Sequence, residues 1–228
     1  MKIVISLGGS LLTSDFSSAN IKKYADAIKQ ISGNGHRTIV VVGGGKIARE
    51  YIDVAHGLVL SDFKKDFVAI KLTHANAALF ASALGDCAEH DIKYAHDAIV
   101  DQFDTTNKII VCGGTVPGQS TDGVSSDLAS AIDADIVVNA TNVAGVYDSD
   151  PKKNTGAKKL DRLSHEEFSR IVGGNEQAPG KYGLFDLKAV HVLEKKNIKL
   201  VIIDGRDPEE LIRAIEGGHG GSVIGSGL

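Results

Sequence analysis

The chain has little of what marks a disulfide-bonded, metal-binding, nucleic-acid-binding or membrane protein. Its two cysteines, Cys87 and Cys112, are far apart and lie in apolar contexts, so buried thiols are expected rather than a disulfide or a metal pair. The eight histidines show no metal-ligand spacing. Lys and Arg total 25 against 29 Asp and Glu, a net charge of −4, and form no basic cluster. With seven Phe, five Tyr and no Trp, the chain offers neither the charge nor the stacking surface of a nucleic-acid binder. No apolar run approaches the ~20 residues of a membrane span, and the N-terminus enters an apolar strand at once with no signal-peptide pattern. These features lead us to expect a soluble cytoplasmic protein with no membrane or nucleic-acid partner.

What is abundant is apolar residues, 43% of the 228, and glycine, 26 in all. That length and apolar fraction suit one domain, 1–228, with a full core. Short apolar runs alternate with helical patterns. Ile3–Leu7, Ile39–Val42, Ile109–Cys112, Ile136–Ala140 and Leu200–Ile203 read as buried strands. Residues Ala98–Val100 are expected as a short strand and Ser222–Ile224 as a final edge strand. Helical spacing joins Ile21, Tyr24, Ala25, Ile28 and Ile31. It also joins Ile47, Tyr51 and Val54 after Lys46, the alanine-rich stretch from Phe63 to Leu84, and Val124, Leu128, Ala131 and Ile132. Ser164 and Glu167 form a capping-box pair opening a helix to Val172. A further helix is expected from Phe185 to Lys195, and Asp207, Pro208 and Glu210 mark the start of the last. Residues 173–183, including Lys181, read as a loop. Strands alternating with helices imply an α/β three-layer sandwich around a mainly parallel central sheet.

Three strands run into glycines: Gly8-Gly9-Ser10, Gly43-Gly44-Gly45-Lys46 and Gly113-Gly114-Thr115-Val116-Pro117-Gly118-Gln119-Ser120-Thr121-Asp122. Glycine turns let backbone N–H groups approach a ligand closely, which suits phosphates. In a parallel sheet such loops share the edge at the strands' carboxyl ends, where open α/β folds bind ligands. The dinucleotide fingerprint Gly-x-Gly-x-x-Gly is absent, and Gly45-Lys46 is followed by Ile47 rather than the hydroxyl a P-loop needs.

With Arg49, Asp66 and the block from Thr141-Asn142-Val143-Ala144-Gly145-Val146-Tyr147 through Asp150-Pro151, these loops resemble the amino acid kinase superfamily. The Pro117–Asp122 loop resembles that of its archaeal-type uridylate (UMP) kinases. The resemblance covers nearly the whole chain. It implies transfer of the γ-phosphoryl of ATP to UMP with Mg2+, in pyrimidine nucleotide synthesis, by a homohexamer. It also implies an acceptor-binding N-terminal half and an ATP-binding C-terminal half.

Position by position, Gly9, Ser10, Gly45, Arg49, Thr141, Asn142, Tyr147 and Asp150 would hold ATP. Gly44, Asp66, Val116, Pro117, Gly118, Gln119, Ser120, Thr121 and Asp122 would hold UMP, with Asp66 on the ribose and Gln119 on the uracil edge. Lys46 would be the cation at the transferring group, and Asp186 the later active-site aspartate. Read alone, Asp66 is a surface charge, Lys46 and Arg49 are solvated helix residues, Tyr147 is a packing aromatic, and Asn142 and Asp150 cap turns. Many superfamily kinases carry a lysine where β-strand residue Ser6 stands, which leaves Lys2 or Lys46 to supply charge. The usual aspartate of the Thr-Asn-Val block is Ala144, and no metal ligand is assigned. The alternatives are another superfamily kinase, acting on isopentenyl phosphate, carbamate or a carboxylate, and a non-catalytic nucleotide-binding protein. The first of these in its isopentenyl form wants a histidine after the second glycine loop, and neither His56 nor His74 takes that place.

Overall fold

The computed structural model describes residues 1–151, 153–175 and 184–225. Five strands form its centre: β1 (Lys2–Leu7), β2 (Arg37–Val42), β3 (Ile110–Cys112), β4 (Ile136–Thr141) and β8 (Lys199–Asp204). All five pair in parallel. Their residues are Val and Ile on both faces, as strands buried between two helix layers require. β5 (Val146–Tyr147) and β6 (Lys159–Leu160) make a small antiparallel hairpin. β9 (Ser222–Ile224) runs antiparallel to β8, and β7 (Arg162–Leu163) runs parallel to β9, completing a seven-stranded sheet of order β3-β2-β1-β4-β8-β9-β7.

One face packs on α1 (Gly9–Thr13), α2 (Ser18–Gly33), α4 (Asp62–Leu84) and α9 (Glu209–Glu216) through Leu11, Tyr24, Ile28, Phe80 and Leu211. The other packs on α5 (His96–Thr105), α6 (Thr121–Ala131), α7 (His165–Asn175) and α8 (Leu187–Lys196) through Phe103, Leu128, Phe168 and Val190. The three-layer expectation holds. The helix α3 (Gly45–Gly57) lies against α4 and buries only Ala48 and Ala55.

Several local expectations fail for identifiable reasons. Residues 98–100 lie in α5: Ile99 and Phe103, four apart, are the buried pair, a helical rather than alternating spacing. The last strand is not an edge, because the two-residue β7 covers it. The glycines after β1 open a helix, α1, rather than a free loop. Cys87 and Ala131 are exposed, and so are Tyr51 and Val54. Helix α7 continues through Asn175 into the stretch read as loop; residues 176–183, with Lys181, lie outside the described residues. Asp186 caps α8 instead of lying inside it. The capping box of Ser164 and Glu167 is present, Ser164 N donating to Glu167 Oε2 at 2.8 Å and Glu167 N to Ser164 Oγ at 3.1 Å.

Helix α4 is long and apolar enough to pass as a membrane span, with a mean hydropathy of 1.4 over its most apolar window, contrary to the expectation from the sequence. Its Ala77, Phe80, Ala81 and Leu84 are buried in the core, and its buried Thr73, His74 and Asn76 are polar residues with specific work.

Candidate active site

The carboxyl ends of β1 and β2 meet in a contact of backbone on backbone. A Cβ on Gly9 would lie 2.3 Å from Gly43 O and 2.3 Å from Gly45 N. One on Gly45, which has φ +67°, would lie 2.2 Å from Thr13 Oγ1. Only glycine fits these two positions. Thr13 fastens the contact, its hydroxyl donating to Gly9 O at 2.9 Å and accepting from Lys46 N at 3.1 Å. The glycines were expected to admit a ligand; their first duty is to admit each other. Packed this way, the N–H groups of Gly9, Ser10, Gly44 and Gly45 have no acceptor among the described residues. Four donors on two touching loops are a set suited to a polyanion.

The acceptor side is built by one turn of α4. Asn76 Nδ2 donates to Gly43 O at 2.9 Å and to Gly44 O at 3.2 Å. Thr73 Oγ1 accepts from Gly114 N at 2.8 Å. His74 Nε2 lies 2.8 Å from Gly114 O. A carbonyl only accepts, so Nε2 carries the proton, and buried Nδ1 has no partner among the described residues. Burial pushes the His74 pKa down, consistent with a neutral ring, which lies against Tyr94 with centroids 4.1 Å apart. Sequence reading missed this trio. Its signal was polar residues spaced within one turn of an otherwise alanine-rich helix.

Asp66, four residues into α4, accepts from Gly118 N at 2.7 Å through Oδ2. The structure therefore brings Asp66 to the 116–122 loop. Within that loop Val116 and Ser120 are exposed and Gly118 has φ +82°. Gln119 differs from expectation: Thr115 Oγ1 donates to its Oε1 at 3.1 Å and its Nε2 donates to Asp127 at 2.7 Å. Its amide is held within the fold, not presented to a base.

Ser120 caps α6 by accepting from Gly123 N at 3.0 Å and donates to Asp186 Oδ2 at 2.9 Å. Asp186 in turn caps α8, accepting from Lys188 N at 2.9 Å. Two helix N-termini thus converge, with the favourable potential for anions that this creates. Ser6 Oγ donates to Asp122 Oδ1 at 3.2 Å, tying β1 to α6. Burial and then the Asp186 charge push the Asp122 pKa up to about 7, against the pull of the Ser6 hydrogen bond. Asp122 and Asp186 are one acidic pair without a cation bonded to either side chain among the described residues.

The expected cations sit at the rim. Lys46 is exposed, its ammonium 3.7 Å from Glu50, and Arg49 is exposed without a hydrogen bond or ion pair among the described residues. Lys2 does not serve the site: its ammonium donates to Ile132 O at the opposite end of β1. Thr141 closes β4 beside Gly8, whose N–H donates to Ala140 O at 3.1 Å. Asn142 is exposed, Tyr147 lies half-buried on the β5–β6 hairpin, and the Asp150 carbonyl closes the following turn by accepting from Asn154 N at 2.9 Å.

The amino acid kinase family model matches residues 1–204. The chain is 42% identical to the uridylate kinase of Methanoculleus marisnigri, covering 98% of this chain and 95% of that protein. It is 38% identical to the uridylate kinase of Methanobrevibacter smithii, over 98% and 99% of the two chains. The crystal structure of uridylate kinase from Archaeoglobus fulgidus superposes with a TM-score of 0.88 at 38% identity, over 98% of this chain and all (100%) of that one.

An acid such as Asp122 that holds its proton more tightly folded than unfolded stabilises the fold most below its ordinary value of 3.8, and this contribution is lost as pH rises through about 7. Without divalent cations, Asp122→Asn should therefore gain up to about 4 kcal/mol over the parent at pH 8, the gain shrinking towards pH 4. Thermal melts of both proteins in a chelator, from pH 4 to 8, measure it. A difference independent of pH would show that Asp122 titrates normally.

Proposed function

This chain belongs to the amino acid kinase family, and we propose that it transfers the γ-phosphoryl of ATP to UMP, giving ADP and UDP. The observation that carries the reading is the pair of touching glycine loops with unpaired N–H groups, seated beside the Asp66-bound 113–122 loop. The names of its relatives, uridylate kinases matched along nearly their whole length, supply the acceptor.

Gly9, Ser10 and Gly45 face the ATP phosphates, with Arg49 one turn along α3, and Thr141, Asn142, Tyr147 and Asp150 line the adenosine. Gly44 and residues 116–122 surround UMP. Asp66 keeps its loop-bound oxygen on Gly118 and turns the other to the ribose. No general base is needed, because the attacking UMP oxygen is already ionised; positioning and charge neutralisation do the work. The donor set fits a magnesium ion shared with phosphates: two neighbouring carboxylates, Asp122 and Asp186, the first with its pKa raised by burial and by the charge of the second. When bound there, the ion would neutralise charge on the transferring group. N-terminal residues thus serve the acceptor and C-terminal ones the adenosine.

Lys46 begins at the site, its amide held by Thr13, and an exposed pair such as that with Glu50 is cheaply given up. Lys46→Ala should lower turnover by roughly 10²–10³, the scale of one lost preorganised charge contact. Turnover near that of the parent would leave Lys46 as a surface residue.

Production of ADP with UMP, dUMP, CMP, AMP and GMP tests the acceptor. UMP should be used best, since the short loop offers no aromatic side chain to stack a purine. Asp66→Ala should narrow the preference for UMP over dUMP, because a site built to bond a hydroxyl rejects the analogue lacking it. Equal use of AMP and UMP sinks the uridylate reading. Unchanged UMP/dUMP discrimination in Asp66→Ala removes only Asp66.

Assembly follows from the surface. Tyr51, Val54, Leu58 and Val59 of the α3 end, with Phe63, Phe67 and Leu79 of α4, are all exposed, Val59 at 88%. So large an apolar surface marks an interaction site, and we place subunit pairing there, within a cytoplasmic homohexamer. Light scattering at micromolar concentration should give an oligomer. A monodisperse monomer would overturn this, and Phe63→Asp should dissociate the pair if the surface is right.

A further inference from the structure

A fourth glycine cluster, Gly217-Gly218-His219-Gly220-Gly221, takes no part in the strand-end site. It follows α9, and all of it but Gly220 lines a cleft of about 680 Å³, together with the cations Lys159, Arg162 and Lys199, apolar Val201, Ile215 and Val223, and two carboxylates. Of these, Asp161 is paired with Lys159 and Glu216 accepts from Asn34 Nδ2 at 3.0 Å. The volume is that of a small-molecule site. Val201 and Val223, paired across β8 and β9, and Arg162, paired with Val223 across β7, point to one face. Lys199, two residues before Val201, points there too. The Arg162 and Lys199 backbones stand roughly 10–12 Å apart by strand geometry, within reach of one another's long side chains. Neither side chain has a hydrogen bond or ion pair among the described residues. Lys159 is committed to Gly220 O and Asp161.

The strap itself offers donors. Gly217 and Gly218 have φ +102° and +88°, and the N–H groups of Gly218 and His219 have no acceptor among the described residues. Gly221 N donates to His219 Nδ1 at 3.1 Å, so a neutral ring carries its proton on Nε2 as a further donor. Burial lowers the His219 pKa and favours that neutral ring. Apolar floor, two uncommitted cations and free backbone donors are the parts of a site for an anion with an organic body.

We propose that this cleft binds a phosphate ester of nucleotide size as a second site, distinct from the strand-end site, with the phosphate on Arg162, Lys199 and the 218–219 N–H groups and the body on the partly buried Val223 and Ile215. Its occupation is coupled to the donor end. Ser222, next to Gly221, accepts from Val146 N at 2.8 Å and donates to Leu160 O at 2.6 Å. Lys159 pairs with Tyr147 across the hairpin. Any shift of the strap therefore reaches the residues proposed for adenosine through one hydroxyl.

The test is calorimetry on the intact protein with magnesium and saturating UMP, titrated with AMP-PNP, the imido analogue of ATP, and separately with pyrophosphate. Two equivalents of AMP-PNP per chain are expected. In Arg162→Ala/Lys199→Ala, exposed positions outside the kinase site, one equivalent should weaken about tenfold or more while the other is retained. Hydrogen exchange should show protection of residues 217–223 by AMP-PNP in the parent and not in the variant. A single equivalent, two unaltered equivalents in the variant, or unchanged exchange at 217–223 overturns the proposal. So does pyrophosphate binding as tightly as AMP-PNP at the cleft, since the apolar floor would then read nothing. Failure of the kinase reading would instead remove the equivalent that survives in the variant.

Discussion

The contact of Gly9 with Gly43 and Gly45 is the constraint on which the site depends. Parallel pairing of β1 and β2 carries both chain segments to the same edge in register, Leu7 opposite Val42. Beyond that point the two turns occupy nearly the same space, and only the absence of side chains lets them pass. Their carbonyls are consumed by Thr13 and Asn76, so the peptide N–H groups are what remains. On the proposed reading, donor and acceptor phosphates would be brought close because the loops that would bind them already touch.

Helix α4 does two jobs with two faces. Its Thr73, His74 and Asn76 hold three carbonyls and one N–H of the glycine loops, while Phe63, Phe67 and Leu79 stand in solvent. That division explains its composition. A helix that covers a sheet with one face and leaves large apolar side chains exposed on another is apolar over much of its surface, and by hydropathy alone it cannot be told from a membrane span. The buried polar trio separates the two cases, since each member has its partner in the glycine backbone. Burying the other face in an oligomer would fix α4, and with it the positions of Gly43, Gly44 and Gly114. In such an oligomer, assembly and site geometry would be coupled through one rigid element.

The sheet and most helices were legible in the sequence because Ile/Val runs and apolar periodicity report burial directly. The pieces misread are those where pattern is too short to have a period. Ala98–Val100 is three residues, and only Phe103 beyond it reveals the helix. β7 is two residues, fixed by β9 rather than by its own propensity. The site was legible as loops and not as contacts. Gly9 and Gly45 were read for the ligands they could admit, and their contact with one another was not foreseen; nor were the bonds that Gln119 makes to Thr115 and Asp127. Local sequence shows which residues can turn; which partner they meet depends on register between segments far apart in the chain.

Ser6 and Asp122 show how one departure from the resemblance sets the character of the site. A lysine at the Ser6 position would have placed a fixed cation against α6 and held the Asp122 carboxylate ionised. A hydroxyl donates one hydrogen bond but no charge, which does not offset burial beside Asp186. Among the described residues the acidic pair is thus left without its own counter-ion, and on the proposed reading it would gain one with the ligands, as a metal ion or a rim lysine drawn in by phosphate. Charge neutrality at the proposed reacting centre would then come with the bound nucleotide. A site of this kind carries an electrostatic cost, burial of the Asp122 carboxylate first and its repulsion by Asp186 second, so on the proposed reading part of the affinity for a cation-bearing nucleotide would come from relief of that cost.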